Sequence, residues 1–549
     1  MSAVEMDFGL PPLSGGSLPD FTDASSCREW LAGLPLTNLA VSQTQLLRQL
    51  NLLNRYALRA DERLKILELL RDSVSFVQDQ GRKRFAGRPL PFNTVEQAAF
   101  DANQALWQEL VTGYLHCLSA GHEGTAEAAP APDVLAAIAA TRGLAAMLAI
   151  YLDACRANIL TAPTFWRQLH SIFRAAEELK VAQLPVEPGL RRKRTATSAY
   201  VEVLLMAAAF PHELRPRQLT LVADWAQRWS GKVTVQLQPP ADRRTPSLCV
   251  DLDSDRTAGY EIPPAQKDAL RWLELSELRK SIKKRLVLLA QGESPEALQF
   301  AKGCDPAAGE ALLKRIYQCW CKGGTKEHGS KFRSGKHVKS TCQLAGGFDA
   351  IHFHLTGQIS LKQDRSIYLG HHQHEEIATF GRITTQVDDG NSELPTSGLE
   401  EWRVVDQSAG DLHLERPLSP PGMPLVGGQL VAVRLHGGEG FVLGKLRWIA
   451  MSASRDALIA RISLLPGRPE GITVRGSGPG SGNTQSSRGL FLPDIDQLGE
   501  AASMLVPPRW FAADRIIGVE AQARDVHQVR LDKLVERGAD FERVSFEWV

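Results

Sequence analysis

An acidic residue and a hydroxyl residue lie close together in the C-terminal half of the chain. Asp406 and Ser408 are two positions apart in the segment DQSAG, which ends at Gly410. A carboxylate accepts hydrogen bonds from the N–H groups of a ligand, and a serine hydroxyl is small enough to approach a base or a phosphate without clashing. The same residues can instead form a turn in which Asp406 hydrogen-bonds to its own backbone. For these five residues alone, the turn is the better interpretation.

The segments around this motif predict a series of half-buried antiparallel strands. Between Trp402 and Arg475, apolar residues alternate with polar ones, and glycine-bearing segments separate the alternating runs. This period of two is typical of strands with one buried face. The alternating apolar residues are Leu412, Leu414, Val431, Val433, Leu435, Phe441 and Leu443.

This stretch of about 75 residues resembles a PilZ domain, the small β-barrel family whose founding activity is binding cyclic di-GMP. Asp406 and Ser408 match the acid and the serine of the family's second motif. Gly410 comes one position early, and Asp411 occupies the place of the family's glycine. The resemblance implies a barrel in which a carboxylate accepts from the N1–H and N2–H₂ edge of guanine. It also implies a regulatory protein rather than an enzyme.

The family's first motif, two arginines four positions apart, is incomplete in this chain. An arginine pair suits such a ligand because each planar guanidinium binds guanine O6/N7 or phosphate with two hydrogen bonds. Arg382 is followed by Gln386 at the second place, and Arg333 is followed by His337. We therefore take Arg382 and Arg333 as the candidate cationic contacts, beside Asp406.

A basic, glycine-containing stretch offers further cations. It contains one acid, and it precedes the predicted strand at 350–355. Such a patch can wrap a dianionic nucleotide, but charge runs are more commonly solvated loops, and both interpretations stay open. Two other basic clusters, Arg191–Arg194 and Arg279–Arg285, are predicted to face solvent. The cations of the stretch are Lys322, Lys326, Lys331, Arg333, Lys336 and Lys339.

Metal-binding and nucleophilic sites are poorly supported. Cys319 and Cys321 are separated by one residue rather than the two to four of a zinc knuckle, so we predict that they pack in the interior. Three neighbouring histidines have no acidic residue at a spacing that would complete a metal site, and we predict that they lie in a polar loop. Motifs of nucleotide hydrolases, dinucleotide-binding folds and serine hydrolases are not found. We therefore expect neither an enzyme nor a metal site. The histidines are His371, His372 and His374.

Composition places the chain among ordinary globular proteins. The 549 residues carry a net charge of +1, so charge gives no argument for nucleic acid or an anionic membrane. Eight cysteines in a long chain do not form a disulfide framework. No secretory signal and no uninterrupted membrane span are predicted, because Arg142 breaks the most apolar segment. We expect a cytoplasmic protein without membrane insertion.

The predicted fold class is α+β and multidomain. Residues 1–25 are expected to be loose, 26–185 to form an all-helical domain and 186–370 a mixed α/β domain. A PilZ-like antiparallel β-barrel is expected at 371–475, a flexible insert at 476–489 and a β extension at 490–549, which either extends the barrel or forms a second β unit.

Within these domains, periodicity predicts individual elements. Leu46, Leu50 and Leu53 share one helix face, and a second face contains Leu67, Leu70, Val74 and Val77. The segments GKVTVQLQ and SLCVDLD alternate and predict a hairpin, and helix is expected at about 265–291. AIHFHL at 350–355 is predicted to be a strand.

Together these observations favour a non-enzymatic cyclic di-GMP effector of PilZ type. The resemblance implies an adaptor that regulates an unidentified protein partner, contacted through the helical domain, in bacterial motility, biofilm or surface-polysaccharide signalling. It requires no cofactor besides the regulatory ligand, and no nucleic acid. The alternative is a protein-interaction scaffold whose barrel no longer binds the nucleotide, which the incomplete arginine pair and Asp411 favour.

Overall fold

The computed structural model divides into two compact units. The first contains residues up to 335 together with Ala450–Leu458, and the second contains Lys336–Ile449 and Ile459–Val549. The structure describes residues 8–13, 18–120, 131–186, 194–240, 246–262, 266–298, 306–324, 340–356, 398–408, 410–438, 440–477, 484–520 and 526–549.

The first unit begins with six helices. Two of them start with a reciprocal side-chain cap that satisfies exposed backbone N–H groups: Asp23 with Ser26, and Asn93 with Glu96. The two predicted apolar faces, on the second and third helices, are fully buried. The helices are α1 (Ala24–Ala32), α2 (Leu39–Leu53), α3 (Ala60–Gly81), α4 (Thr94–Ser119), α5 (Pro132–Ala157) and α6 (Pro163–Glu178).

Helix α5 is central to this bundle. Among the described residues it is the one helix long and apolar enough to cross a membrane, but 67% of its most apolar window is buried inside the protein. It packs against α4, α6 and the following α7 (Ala196–Ala208). The burial is that of a core helix, and Arg142 within it is ion-paired with Glu68 of α3.

The rest of the first unit adds helices and a small sheet to the same apolar core, which runs from Phe21 to Cys321. The two segments predicted as a hairpin do not pair with each other. Both pair with a third strand from the region where helix was expected, giving the order β1-β3-β2. The elements are α8 (Pro216–Trp229), β1 (Thr234–Gln236), β2 (Cys249–Asp251), β3 (Leu270–Glu274), α9 (Ser276–Ala290) and α10 (Pro306–Cys321).

The second unit contains two closed six-stranded barrels. Strand order in the first is β4-β5-β6-β9-β8-β7, and its described neighbouring strands run antiparallel. Its elements are β4 (Ser340–Gly346), α11 (Phe348–Thr356), β5 (Leu399–Gln407), β6 (Asp411–Pro417), β7 (Leu430–Leu435), β8 (Val442–Met451) and β9 (Ala457–Leu464). The first strand of this barrel therefore comes from before residue 357, upstream of the segment that the resemblance covered.

The predicted strand at 350–355 is wrong, because these residues belong to helix α11. Ile351 is fully buried in an apolar cluster that includes residues of both barrels. Ile351 and Leu355 are four residues apart and share one face of a helix, so a short run of this kind fits either periodicity. Packing against the neighbouring strands stabilises the helical conformation.

The C-terminal residues form the second barrel, with strand order β10-β11-β12-β15-β14-β13. Of the two expected outcomes for the tail, a second β unit is the one observed. Strands β10 and β11 pair in register from Glu470 to Ser477, which faces Thr484, so much of the segment expected to be a flexible insert is strand. The strands are β10 (Glu470–Ser477), β11 (Thr484–Leu492), β12 (Ser503–Val506), β13 (Ile516–Glu520), β14 (Val526–Arg537) and β15 (Glu542–Trp548).

The two barrels share an apolar contact region. Leu430, Ala432 and Leu443 of the first barrel form one buried cluster with Leu490 and Leu505 of the second. The fold class predicted from the sequence is confirmed: an N-terminal helical region, a mixed middle and antiparallel β-barrels at the C-terminal end.

Candidate functional site

Asp406 lies near the end of β5 on the outer wall of the first barrel. Val404 faces Leu414, and both are buried inside the barrel. A register shift follows Val404, and it places Asp406 opposite His413, which alternates along β6 with buried leucines. The Asp406 carboxyl is half-buried, and its Oδ1 atom has no hydrogen-bond partner among the described residues. This acceptor is buried, so a ligand reaches it only after neighbouring side chains move.

Ser408 and Gly410 form the turn between β5 and β6. The backbone N–H of Ser408 donates to the carbonyl of Asp411 at 2.9 Å, and the Asp411 N–H donates to Ser408 Oγ at 3.2 Å. Gly410 accepts from the Leu464 N–H at 2.8 Å, and there is open space where a Cβ would lie. The serine thus has a structural role in the turn, whereas the alternative interpretation of the motif had given that role to Asp406.

A buried arginine stands beside this turn. Arg461 of β9 is 8% exposed, and its Nη2 atom lies 3.5 Å from Asp411 Oδ2. Asp411 therefore forms an ion pair with a guanidinium.

His413 lies near both the carboxyl group of Asp406 and the aromatic ring of Trp448. The pKa of His413 is lowered by burial and by the charge of Arg461, while Asp406 raises it. The His413 ring centroid is 6.1 Å from that of Trp448, with the planes tilted by 53°. The described wall patch, defined as Asp406, Asp411, His413, Trp448 and Arg461, combines hydrogen-bond acceptors, a cation and an aromatic ring.

The two predicted arginine contacts, Arg333 and Arg382, lie outside the described residues, as do His371, His372 and His374 and most of the basic stretch. Cys319 and Cys321 are buried, and burial raises the pKa of their thiols to about 11 and about 12. They are neutral packing groups at neutral pH. In the described part of the chain, no cluster of three or more metal-ligating side chains occurs.

Sequence reasoning missed three residues of the wall patch: His413, Trp448 and Arg461. His413 could have been found, because it alternates with Leu412 and Leu414 and so shares a face with the acids. Arg461 stands between Ala460 and Ile462 in a strand, which is an unusual place for a charge. Its proximity to Asp411 depends on the pairing of β6 with β9, which sequence spacing does not reveal.

Comparison with known proteins finds matches at both ends of the chain. A family model described as the N-terminal domain of the cyclic-di-GMP receptor FimW matches residues 25–241, and one described as the FimW C-terminal β-barrel domain matches residues 472–549. The cyclic-di-GMP receptor FimW of Pseudomonas aeruginosa is 23% identical over 531 residues, covering 89% of this chain and 84% of that protein. No solved structure matches the chain significantly.

Proposed function

We propose that this protein is a non-enzymatic receptor for cyclic di-GMP. The observation that carries the proposal is the similarity to a cyclic-di-GMP receptor over 89% of the chain, with family matches to both the helical unit and the second barrel. The first barrel lies between these two matches, and it is the part that resembles a PilZ domain.

The wall patch is the proposed nucleotide site. The Asp406 carboxylate accepts from the N1–H and N2–H₂ groups of guanine, and its buried Oδ1 atom has no hydrogen-bond partner in the described part of the protein. Arg461 supplies the positive charge that a phosphate diester requires. Ser408 and Gly410 shape the turn that carries these groups. Trp448 offers a ring on which a base can stack.

Of the two candidate arginines outside the described residues, chain connectivity favours Arg333. It is seven residues before Ser340, and Ser340 pairs with Val404, two positions from Asp406. Seven residues span at most about 24 Å, enough to reach the patch. Arg382 precedes Leu399, which pairs with Ala345 at the far end of the same strand pair. The shorter tether favours Arg333, although the 17 residues from Arg382 to Leu399 are also long enough to reach the patch.

The finer functional assignment follows from the same resemblance. The helical unit transmits the binding of the dinucleotide to a protein partner. The protein then acts as a cytoplasmic PilZ-type adaptor in bacterial signalling that controls motility, biofilm or surface polysaccharide.

A second candidate function is a scaffold whose barrel does not bind nucleotide. It is favoured by one observation, the use of both Ser408 and Asp411 within the protein itself, in the turn and in the ion pair with Arg461. The two functions differ in one measurable property, the affinity for cyclic di-GMP.

Isothermal titration calorimetry of the full chain with cyclic di-GMP tests the proposal. We expect micromolar binding at the wall patch in the wild type, and we expect this binding component to be lost in Asp406→Ala and weakened in Ser408→Ala. Glu547→Ala is the matched control, because its carboxylate is 70% exposed on the second barrel. Absence of binding heat at saturating ligand, together with an unchanged melting temperature, would establish the scaffold instead.

A further inference from the structure

A separate concave site lies inside the helical part of the first unit. It has a volume of about 380 Å³, within the range typical of small-molecule sites. Side chains from α3, α4 and α5 line it, together with Arg194, which precedes α7. The lining residues are Arg71, Ser75, Trp107, Leu110, Tyr114, Arg142, Ala145, Ala146 and Arg194.

Three of these side chains are guanidiniums, and none of the described lining residues is a carboxylate. The pocket wall therefore presents three guanidinium groups in a protein whose net charge is only +1. Arg194 belongs to the basic cluster Arg191–Arg194, which the sequence predicted to face solvent. The structure instead places Arg194, the described member of that cluster, at the pocket.

The balancing carboxylates hold the arginines without lining the pocket. Glu68 accepts from Arg71 Nη1 at 2.9 Å and from Arg142 Nε at 3.1 Å, and the Tyr114 hydroxyl donates to it at 2.8 Å. One carboxylate thus orients two guanidiniums, and Arg71 Nε also lies 3.4 Å from the exposed carboxylate of Asp72. Pre-oriented arginines lose little side-chain entropy when an anion binds.

The positive charge of Arg194 is less completely balanced by a carboxylate. Its Nη2 atom lies 3.4 Å from Glu202, which is only 2% exposed, and burial raises the pKa of that carboxyl. The Nε atom of Arg194 is buried and has no hydrogen-bond partner among the described residues. A buried donor without a partner destabilises the protein, and an incoming acceptor would remove this cost.

From this arrangement we infer that the pocket binds the phosphate group of a nucleotide, at a site distinct from the wall patch of the first barrel. Arg71, Arg142 and Arg194 contact the phosphate oxygens, for which the planar fork of arginine is well suited. Trp107 and Leu110 provide an apolar wall for the base or sugar. The nucleotide is either a mononucleotide or a second molecule of the cyclic dinucleotide, because both carry the same phosphate chemistry.

Calorimetry of the full chain with pyrophosphate, GMP and cyclic di-GMP tests the inference. We expect GMP or cyclic di-GMP to bind, and the affinity to fall at least about tenfold in Arg194→Gln and in Arg71→Gln, the loss typical of a charge-assisted hydrogen bond. Arg194→Lys keeps the positive charge but lacks the planar guanidinium group. We expect its affinity to lie between that of the wild type and that of Arg194→Gln. Arg48→Gln, an exposed arginine of α2, is the matched control.

The barrel variant Asp406→Ala separates this site from the proposed receptor site. Binding that survives in Asp406→Ala and is lost in Arg194→Gln supports a nucleotide site in the pocket. The probe that behaves this way shows whether the bound phosphate belongs to a mononucleotide or to the cyclic dinucleotide. If none of the three probes binds with an affinity that depends on Arg194 and Arg71, the arginines form only a structural ion-pair network and the inference is overturned. Circular dichroism and melting temperature confirm that each variant is folded.

Discussion

The backbone N–H of Leu430, at the start of β7 in the first barrel, donates to Asp540 Oδ1 in the second barrel at 2.8 Å. The N–H of the neighbouring Ala539 donates to the carbonyl of Gly428 at 2.7 Å. The turn between β14 and β15 therefore contributes polar contacts at the edge of the apolar cluster that the barrels share. A buried carboxyl group thus takes part in the contact between the two barrels.

Asp540 gives the stability of the barrels a pH dependence. Burial raises the pKa of its carboxyl to about 6, although the hydrogen bond from Leu430 acts in the opposite direction. Between about pH 4 and pH 6, the folded state retains a proton that the unfolded state has released. The stabilisation linked to this proton is present below the unfolded pKa and is lost as the pH rises through the folded pKa. The contribution of Asp540 to the free energy of unfolding therefore falls as the pH rises.

Substitution Asp540→Asn keeps an oxygen acceptor and removes the titration. We expect equal stability of the variant and wild type near pH 4, and a variant that is more stable at pH 7 by at most about 3 kcal/mol. Urea denaturation of both proteins across this range measures the difference, with the exposed Asp494→Asn as control. A difference that does not change with pH would contradict the assignment.

Gly538 is required by close packing at the same contact. A Cβ at this position would lie 2.8 Å from the carbonyl oxygen of Gly428 and closer still to the Phe541 ring, which is fully buried. We expect Gly538→Ala to destabilise the protein by about 1–3 kcal/mol, the usual cost of overpacking. Gly410→Ala, where a Cβ meets open space, is expected to change the stability by less than about 0.5 kcal/mol. Thermal denaturation compares the two, and equal effects would refute the packing argument.

Local periodicity predicted those elements whose stability comes from a single buried face. The leucines at 46, 50 and 53 are buried as expected, and so are the alternating residues of the first barrel such as Leu412 and Leu414. In both cases the side chains that repeat at the period of the element point into one core. The same periodicity identified strands of the first barrel but not its first strand, since β4 lies far upstream of β5.

Features that depend on non-local pairing were not predictable. β1 and β2 appeared to form a hairpin because each alternates, but β3 inserts between them and pairs with both. Ser408 matched a ligand motif by sequence, and its contacts in the β5–β6 turn became visible only with the pairing of these strands. Arg461 reaches Asp411 because β9 is a neighbour of β6, although the two residues are 50 positions apart.

The titration of His413 reports on the charges of the wall patch. Burial is the main cause of its lowered pKa, and the charge of Arg461 is the second. We expect Arg461→Gln to raise the pKa of His413 while leaving it below the ordinary value, and Asp406→Asn to lower it further, because Asp406 stabilises the protonated ring. NMR titration of ¹³C-labelled histidine measures both shifts, with the signal assigned from His413→Gln. Shifts of the opposite sign would exclude this arrangement of charges.

The choice between Arg333 and Arg382 can be decided by comparing matched variants. Arg333 is seven residues from Ser340, which pairs beside Asp406, whereas Arg382 leads into the opposite end of β5. If the Arg333 guanidinium contacts the nucleotide, Arg333→Gln removes a charge-assisted hydrogen bond and weakens cyclic di-GMP binding by about ten- to a hundredfold. Arg382→Gln removes the same charge elsewhere and is expected to change the affinity less than threefold. Calorimetric titration at constant ionic strength measures both, and a larger loss in Arg382→Gln would reverse the assignment.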